Sequence, residues 1–213
     1  MSPGYSLDLV ALVPGKDDEQ TLRGLFERTE SLRISRPTFR ILRHPRRDPG
    51  CYSEAEALLQ AFQSQASHAL VMFDHEGSGQ EERAPDEIAS GVRERLIRSG
   101  WDDRCSVLVI APELEAWVWS DSPHVDEALG WAGREPRLRE WLLQKGMWPA
   151  QQAKPQRPKS ALEAAMQEAH RQRSSAIYYQ LAKSVGLERC SDPSFRQLVR
   201  LLRLWFPQQG CIT

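Results

Sequence analysis

Four short apolar runs recur along the first half of the chain, and segments with helical periodicity separate them. The runs cover residues 7–13, 38–42, 69–73 and 105–111, and aliphatic side chains dominate them. Apolar runs of strand length that alternate with amphipathic helices are typical of β-α-β units, whose strands are parallel and whose crossovers are right-handed. The sequence therefore predicts an α/β fold with a mostly parallel four-stranded sheet flanked by helices.

The helical segments are predicted by the spacing of their apolar residues and by their first turns. One begins after Pro14 and Gly15, a second begins near Ser53, and a third covers about 85–98. After Trp119 the pattern is helical throughout, with a Pro-rich and Gln-rich break at 149–158 and a last amphipathic helix at about 193–206. We therefore predict an α/β core over residues 1–120 and an α-helical region over residues 121–213.

Composition narrows the classes of function. The 213 residues are 40% hydrophobic, and 28 basic against 29 acidic side chains give a net charge of −1, which excludes the overall positive field of a histone-like protein. The N-terminal residues lack a charged leader followed by an apolar run, and no stretch approaches the roughly 18 apolar residues of a membrane span. We expect a cytoplasmic protein without a membrane partner. The four scattered cysteines do not predict a disulfide framework or a zinc site.

Acidic side chains follow three of the four predicted strands. Asp74 and Glu76 come after the third run, Glu113 and Glu115 after the fourth, and Asp18 after the first. Because the carboxyl ends of parallel strands meet at one edge of a sheet, these carboxylates are expected to lie together. Close carboxylates repel unless a proton or a cation lies between them, and Mg²⁺ prefers oxygen ligands. The pattern predicts a Mg²⁺ or Mn²⁺ site, with helix capping or simple solvent exposure as the alternative.

A basic stretch precedes the second predicted helix. Six arginines and no acid lie between Ser31 and Arg47. Guanidinium groups bind phosphate through two parallel hydrogen bonds, so we predict that four of them contact a nucleic-acid backbone: Arg40, Arg43, Arg46 and Arg47. The alternative is a solvated face of the second strand, or pairing with the acids between residues 74 and 87.

Three motifs resemble those of Toprim proteins. The segment LVPGKDDEQTLRGLF is similar to the first Toprim motif, in which Glu-Gly-Lys-x-Asp-Glu joins a strand to a helix, and MFDHEGSG is similar to the second, an Asp-x-Asp at a strand end. VLVIAPELEAWVW resembles a Glu-x-Glu-Ala-Trp signature of a bacterial Toprim-like group found near methylation-associated defence systems, distantly related to the overcoming-lysogenization-defect nucleases. The similarity extends into the C-terminal helices.

The resemblance implies a function and a set of roles. Asp74 and Glu76 would be the principal ligands of Mg²⁺, Glu113 and Glu115 would complete the catalytic site, and Asp18 would assist. It implies an antiphage defence component that cleaves nucleic-acid phosphodiesters and binds other proteins of the defence system. Pro14 stands where the first motif carries its catalytic glutamate, and proline neither binds metal nor moves protons. A catalytically silent scaffold or regulatory subunit is therefore the alternative function.

Overall fold

The computed structural model describes residues 4–120 and 122–208. Its sheet has four strands, all parallel, in the spatial order β2-β1-β3-β4. Their bounds are Leu7–Val13 (β1), Phe39–Arg43 (β2), Ala66–Asp74 (β3) and Cys105–Ile110 (β4). The predicted α/β class, the parallel four-stranded sheet and the C-terminal helical region are confirmed.

The described part of the chain contains nine α-helices. The first four lie between or beside the strands, and the other five follow the sheet. Their bounds are Lys16–Phe26 (α1), Thr29–Leu32 (α2), Arg47–Leu59 (α3), Pro85–Leu96 (α4), Pro123–Leu129 (α5), Leu138–Gln144 (α6), Pro158–Glu168 (α7), Ser175–Ser184 (α8) and Pro193–Trp205 (α9). None of them combines the length and the apolar character that a membrane crossing requires.

Side-chain alternation along the strands divides the core into two layers. Leu9, Ala11 and Val13 of β1 belong to one cluster of buried side chains, and Val10 and Leu12 belong to the other. Helices α3 and α4 cover the second layer. Helix α1 covers the first together with residues from α5 to α9, so one apolar cluster runs from the sheet into the C-terminal helices.

Helix α3 begins earlier than the sequence predicts. It starts at Arg47 rather than near Ser53, and so includes Asp48, Pro49 and Gly50. Proline is tolerated in a first helical turn because the N–H it lacks has no intrahelical acceptor there, and an acid in that turn suits the helix dipole. The residues that suggested a turn are therefore compatible with the start of a helix.

Three of the four cysteines lie in the described residues. Cys51, Cys105 and Cys190 are buried free thiols. Cys211 lies outside the described residues.

A close approach of α1 and α8 depends on Gly24. A Cβ atom at this position would lie 2.6 Å from the carbonyl oxygen of Tyr179 and 2.9 Å from the Cβ of Ala182. Gly91, in the middle of α4, has nothing within 4 Å of the corresponding position. The two helical glycines therefore form a matched pair, one crowded and one open.

Gly24→Ala is expected to destabilise the protein, and Gly91→Ala is expected to stabilise it. Overpacking of the α1–α8 contact costs about 1–3 kcal/mol, whereas alanine gains up to about 1 kcal/mol of helix propensity where there is room. Denaturant midpoints of the two variants and the wild type measure the difference. Equal shifts in both variants would contradict the close packing of α1 against α8.

Candidate functional site

The candidate site lies at the carboxyl edge of the sheet between β1 and β3. These strands are neighbours, but the chain leaves β1 towards α1 on one face and leaves β3 towards α4 on the other. Such a divergence opens a crevice in which α/β proteins bind their ligands. Asp18 lies in the first turn of α1, and Asp74 is the last residue of β3.

Asp74 is fixed by two backbone hydrogen bonds. Its Oδ1 accepts from the N–H of Leu114 at 2.8 Å, and its own N–H donates to Oδ1 of Asp48 at 2.9 Å. The first contact ties β3 to the segment after β4, and the second ties it to the first turn of α3. Asp74 therefore links the end of its own strand, β3, to the segments that follow β2 and β4.

Burial and mutual repulsion perturb these carboxyl groups. Burial raises the pKa of Asp74 well above its usual range, and the charge of Asp18 adds more to this rise than any other neighbour. Burial, followed by the charge of Asp48, raises the pKa of Asp18 to about 8. Burial also raises the pKa of Asp48. The crevice thus concentrates negative charge where water screens it poorly.

One oxygen of this group has no partner. Oδ1 of Asp18 is buried without a hydrogen bond, and the residue is 7% exposed. A buried carboxylate oxygen that lacks a donor is costly, and a proton or a bound cation removes that cost. This orphaned oxygen is the feature of the crevice that best fits a cation.

Glu115 lies beside this group but is already hydrogen-bonded. Its Oε1 accepts from the hydroxyl of Tyr178 at 2.6 Å and from Nη2 of Arg173 at 2.9 Å, and the residue is 3% exposed. Nη2 of Arg173 also lies 3.1 Å from Oδ2 of Asp17. Burial and the neighbouring Glu115 raise the pKa of Tyr178, so its hydroxyl stays protonated as a donor.

Glu113 is buried and hydrogen-bonded, whereas Glu76 is exposed. Oε1 of Glu113 accepts from the N–H of Lys159 at 2.8 Å, in the first turn of α7, and burial raises its pKa. Glu76 lies in the turn after β3 and is exposed. The strand ends at Asp74, so Glu76 lies outside it, and the charge of Glu76 is among those that raise the pKa of Glu113.

Taken together, the acids offer a pair rather than a complete ligand shell. In the described ranges, no group of three or more His, Cys, Asp and Glu side chains is arranged to hold a metal ion. Mg²⁺ often keeps several waters and uses one or two carboxylates of the protein. Asp18, with its free oxygen, and Asp74 fit that mode of binding for Mg²⁺ or Mn²⁺.

An open cleft of about 920 Å³ adjoins the acidic crevice at the ends of β1 and β2. Pro14 and Asp17 line it, together with Leu58 near the end of α3 and Phe62 in the 3₁₀ turn that follows α3. Cationic side chains also line it: Lys16, Arg40, Arg43 and Arg47. Asp17, which lines the cleft, and Glu115 of the acidic group share Arg173 as an ion-pair partner, so the two regions are neighbours.

The four predicted nucleic-acid-binding arginines are exposed, but their surroundings differ. Arg40 lies over the ring of Phe62 at 5.2 Å, and Arg43 pairs with Glu19 at 3.3 Å. Arg46 pairs with Glu54 at 2.6 Å and does not line the cleft. The structure therefore separates three cleft arginines from Arg46.

Sequence reasoning missed Asp48 and Arg173. Asp48 lies in the first turn of the helix after β2, as Asp18 lies in the first turn of the helix after β1, so the rule that selected the other strand-end acids also selects it. Arg173 precedes α8 and reaches the crevice only through tertiary packing, and no pattern in its own segment indicates this position. Comparison of the chain with protein-family models, curated proteins and solved structures gave no match.

Proposed function

We propose that the crevice binds Mg²⁺ or Mn²⁺ and that the protein cleaves nucleic-acid phosphodiesters. The observation that carries this proposal is the buried, unpartnered Oδ1 of Asp18 beside Asp74. A proton satisfies this oxygen at low pH, but near pH 8 the carboxyl group ionises and a cation becomes the better partner. The place of this pair at the divergence of β1 and β3 supports a ligand site rather than a simple structural contact.

The chain's residues would divide the work as follows. Asp18 and Asp74 would hold the ion, and Asp48 would fix the backbone of Asp74 through the hydrogen bond from its N–H. When bound, such an ion neutralises developing phosphate charge and makes water a better nucleophile at neutral pH. The N–H of Leu114 would fix Oδ1 of Asp74, so that the carboxylate keeps one orientation. The site would thereby be preorganised before substrate binds.

The adjoining cleft supports a polyanionic substrate. Lys16, Arg40, Arg43 and Arg47 present positive charge beside carboxylates that would otherwise repel phosphate. Arginine suits this task because its fork of donors matches phosphate oxygens. A backbone bound along these cations would reach Asp17 and then the crevice.

Binding of single-stranded DNA in EDTA is expected to weaken with salt, and the cleft arginines are expected to set the slope. Each phosphate contact contributes about 0.7 to the slope of log K against log salt for a single strand, so the triple variant Arg40→Gln, Arg43→Gln, Arg47→Gln should flatten it by about 2. Fluorescence anisotropy between about 50 and 200 mM salt measures this slope.

Arg46→Gln is the matched control. Arg46 belongs to the same basic stretch but is paired with Glu54 and does not line the cleft, so the salt slope of Arg46→Gln is expected to equal that of the wild type. A wild type that does not bind nucleic acid at low salt would contradict the proposed substrate.

The second candidate is a catalytically silent subunit that binds other proteins of a defence system. Two observations favour it: Pro14 is buried at the position of the expected catalytic glutamate, and Arg173 already neutralises part of the acidic group. A role in antiphage defence, for either candidate, is supported by the resemblance of the three Toprim-like motifs.

A cleavage assay separates the candidates. Single-stranded, duplex and supercoiled DNA and RNA are incubated with Mg²⁺ or Mn²⁺, with Asp74→Asn as the control for contaminating nuclease. The enzyme proposal expects metal-dependent cleavage that this substitution abolishes. Inert protein with demonstrated metal binding would support the silent subunit.

A further inference from the structure

Arg173 lies between three carboxylates at the edge of the acidic crevice. Its Nη2 contacts Oδ2 of Asp17 at 3.1 Å and Oε1 of Glu115 at 2.9 Å, and its Nη1 contacts Oε1 of Glu163 at 2.6 Å. The same Nη2 donates to the hydroxyl of Tyr178 at 3.0 Å. The guanidinium is therefore held by partners from α1, from the segment after β4, and from α7 and α8.

These contacts divide the acids into two groups. Asp17 and Glu115 already share the positive charge of Arg173, and Glu113 accepts the N–H of Lys159. Asp18, in contrast, retains an unpartnered oxygen, and of the neighbouring charges it contributes most to the raised pKa of Asp74. Asp17, Glu113 and Glu115 thus have hydrogen-bond donors or a cation from the protein itself. Asp18 and Asp74 have no cationic partner among the described residues.

Two-metal phosphodiesterase sites place their ions about 3.5–4 Å apart and need enough carboxylates for both. The acids of this crevice would be numerous enough for two ions if none of them were paired with the protein. Arg173 removes Asp17 and Glu115 from that supply, because its positive charge is already paired with both. A second divalent ion would have to displace the guanidinium from two partners.

We propose that Arg173 is a built-in cation which takes the place of a second metal ion, so that the crevice binds a single divalent ion at Asp18 and Asp74. The inference rests on the proposed metal site and specifies its stoichiometry. Arg173 acts through its carboxylate partners and is a positioning residue. Tyr178 and Glu163 also contact its guanidinium, but Glu163 is an outer, exposed partner that contacts Nη1, not the Nη2 that contacts the two crevice acids.

The test is the number of Mn²⁺ ions bound, measured by titration calorimetry and by electron paramagnetic resonance of free Mn²⁺. The wild type is expected to bind one ion. Arg173→Gln is expected to bind two, because Asp17 and Glu115 lose their cation. Glu163→Gln is the matched control, since it removes an outer partner of Arg173 without freeing either acid, and it is expected to bind one.

Each outcome decides a different point. Two ions in the wild type, or one ion in a folded Arg173→Gln, overturn the role of Arg173 while leaving the metal site intact. No ion in either protein overturns the metal site itself. If Arg173→Gln fails to fold, Arg173→Met retains the aliphatic part of the side chain and is expected to bind two ions. A folded Arg173→Met that binds one ion overturns the role of Arg173 in the same way.

Discussion

Mg²⁺ is expected to raise the melting temperature of the protein by about 5–10 °C at pH 8, and this gain is expected to shrink towards pH 5. An ion present at 100 times its Kd stabilises the folded state by about 2.7 kcal/mol, and each kcal/mol shifts the melting temperature of a protein of this size by about 2–4 °C. Differential scanning calorimetry in Mg²⁺ and in EDTA, repeated at several pH values, measures both effects.

The pH dependence follows from the direction of the pKa shifts. Burial and the charge of Asp48 raise the pKa of Asp18 to about 8, from an ordinary value of 3.8. The folded state therefore binds the proton more tightly than the unfolded state does. The stability that this group contributes is complete below about pH 4 and is lost as pH rises to about 8. Mg²⁺ replaces the proton at the upper end of that range, but protons compete with it at the lower end.

Amide substitutions separate the metal effect from general stability. Asp18→Asn removes a group that repels its neighbours, so it is expected to raise the melting temperature in EDTA at pH 8 and to abolish the gain from Mg²⁺. Asp74→Asn is expected to abolish that gain as well. Glu76→Gln should keep the full gain, because Glu76 is exposed in the turn after β3. A normal Mg²⁺ response in Asp74→Asn would remove Asp74 from the site.

The fold was predictable because its strands are buried on both faces. The strand β1 is a continuous apolar run, since Val10 and Leu12 face one layer of helices and Leu9 and Ala11 face the other. The start of α3 was not predictable in the same way, because Asp48 and Pro49 favour turns and first helical turns alike. Local composition cannot distinguish these two structures without the packing of the later part of the helix.

The candidate site was predictable in part. The parallel topology alone places Asp18 and Asp74 at one edge, and the structure brings them together. Glu76 lies two residues beyond the end of β3, in a turn. The alternation of side chains along a strand therefore does not fix the direction of its side chain. The partners of Glu113 and Glu115 come from α7 and α8, more than 40 residues later, and only tertiary packing determines them.

Pro14 is expected to limit the rate of cleavage without preventing metal binding. It is buried, precedes the N-cap residue Gly15 of α1 and lines the cleft beside the crevice. The resemblance of the first motif to that of Toprim proteins implies a glutamate at this position, which would act there as an acid or base. General acid–base catalysis contributes about 10²–10⁴ to a rate. The wild type is therefore expected to cleave slowly, with the ion and the cleft supplying most of its activity.

Pro14→Glu is accordingly expected to raise the rate of Mn²⁺-dependent cleavage by about 10², whereas Asp74→Asn is expected to reduce the rate to background in both the wild type and this variant. The four proteins are compared on the same nucleic-acid substrates, with metal binding measured separately by calorimetry. Cleavage that survives Asp74→Asn contradicts the metal mechanism. Silence of the wild type and of Pro14→Glu, when both bind Mn²⁺, assigns the crevice to a structural subunit. An increase that needs both the introduced glutamate and Asp74 shows that the crevice lacks only its proton-transfer group, because every other element is already held by the strand ends.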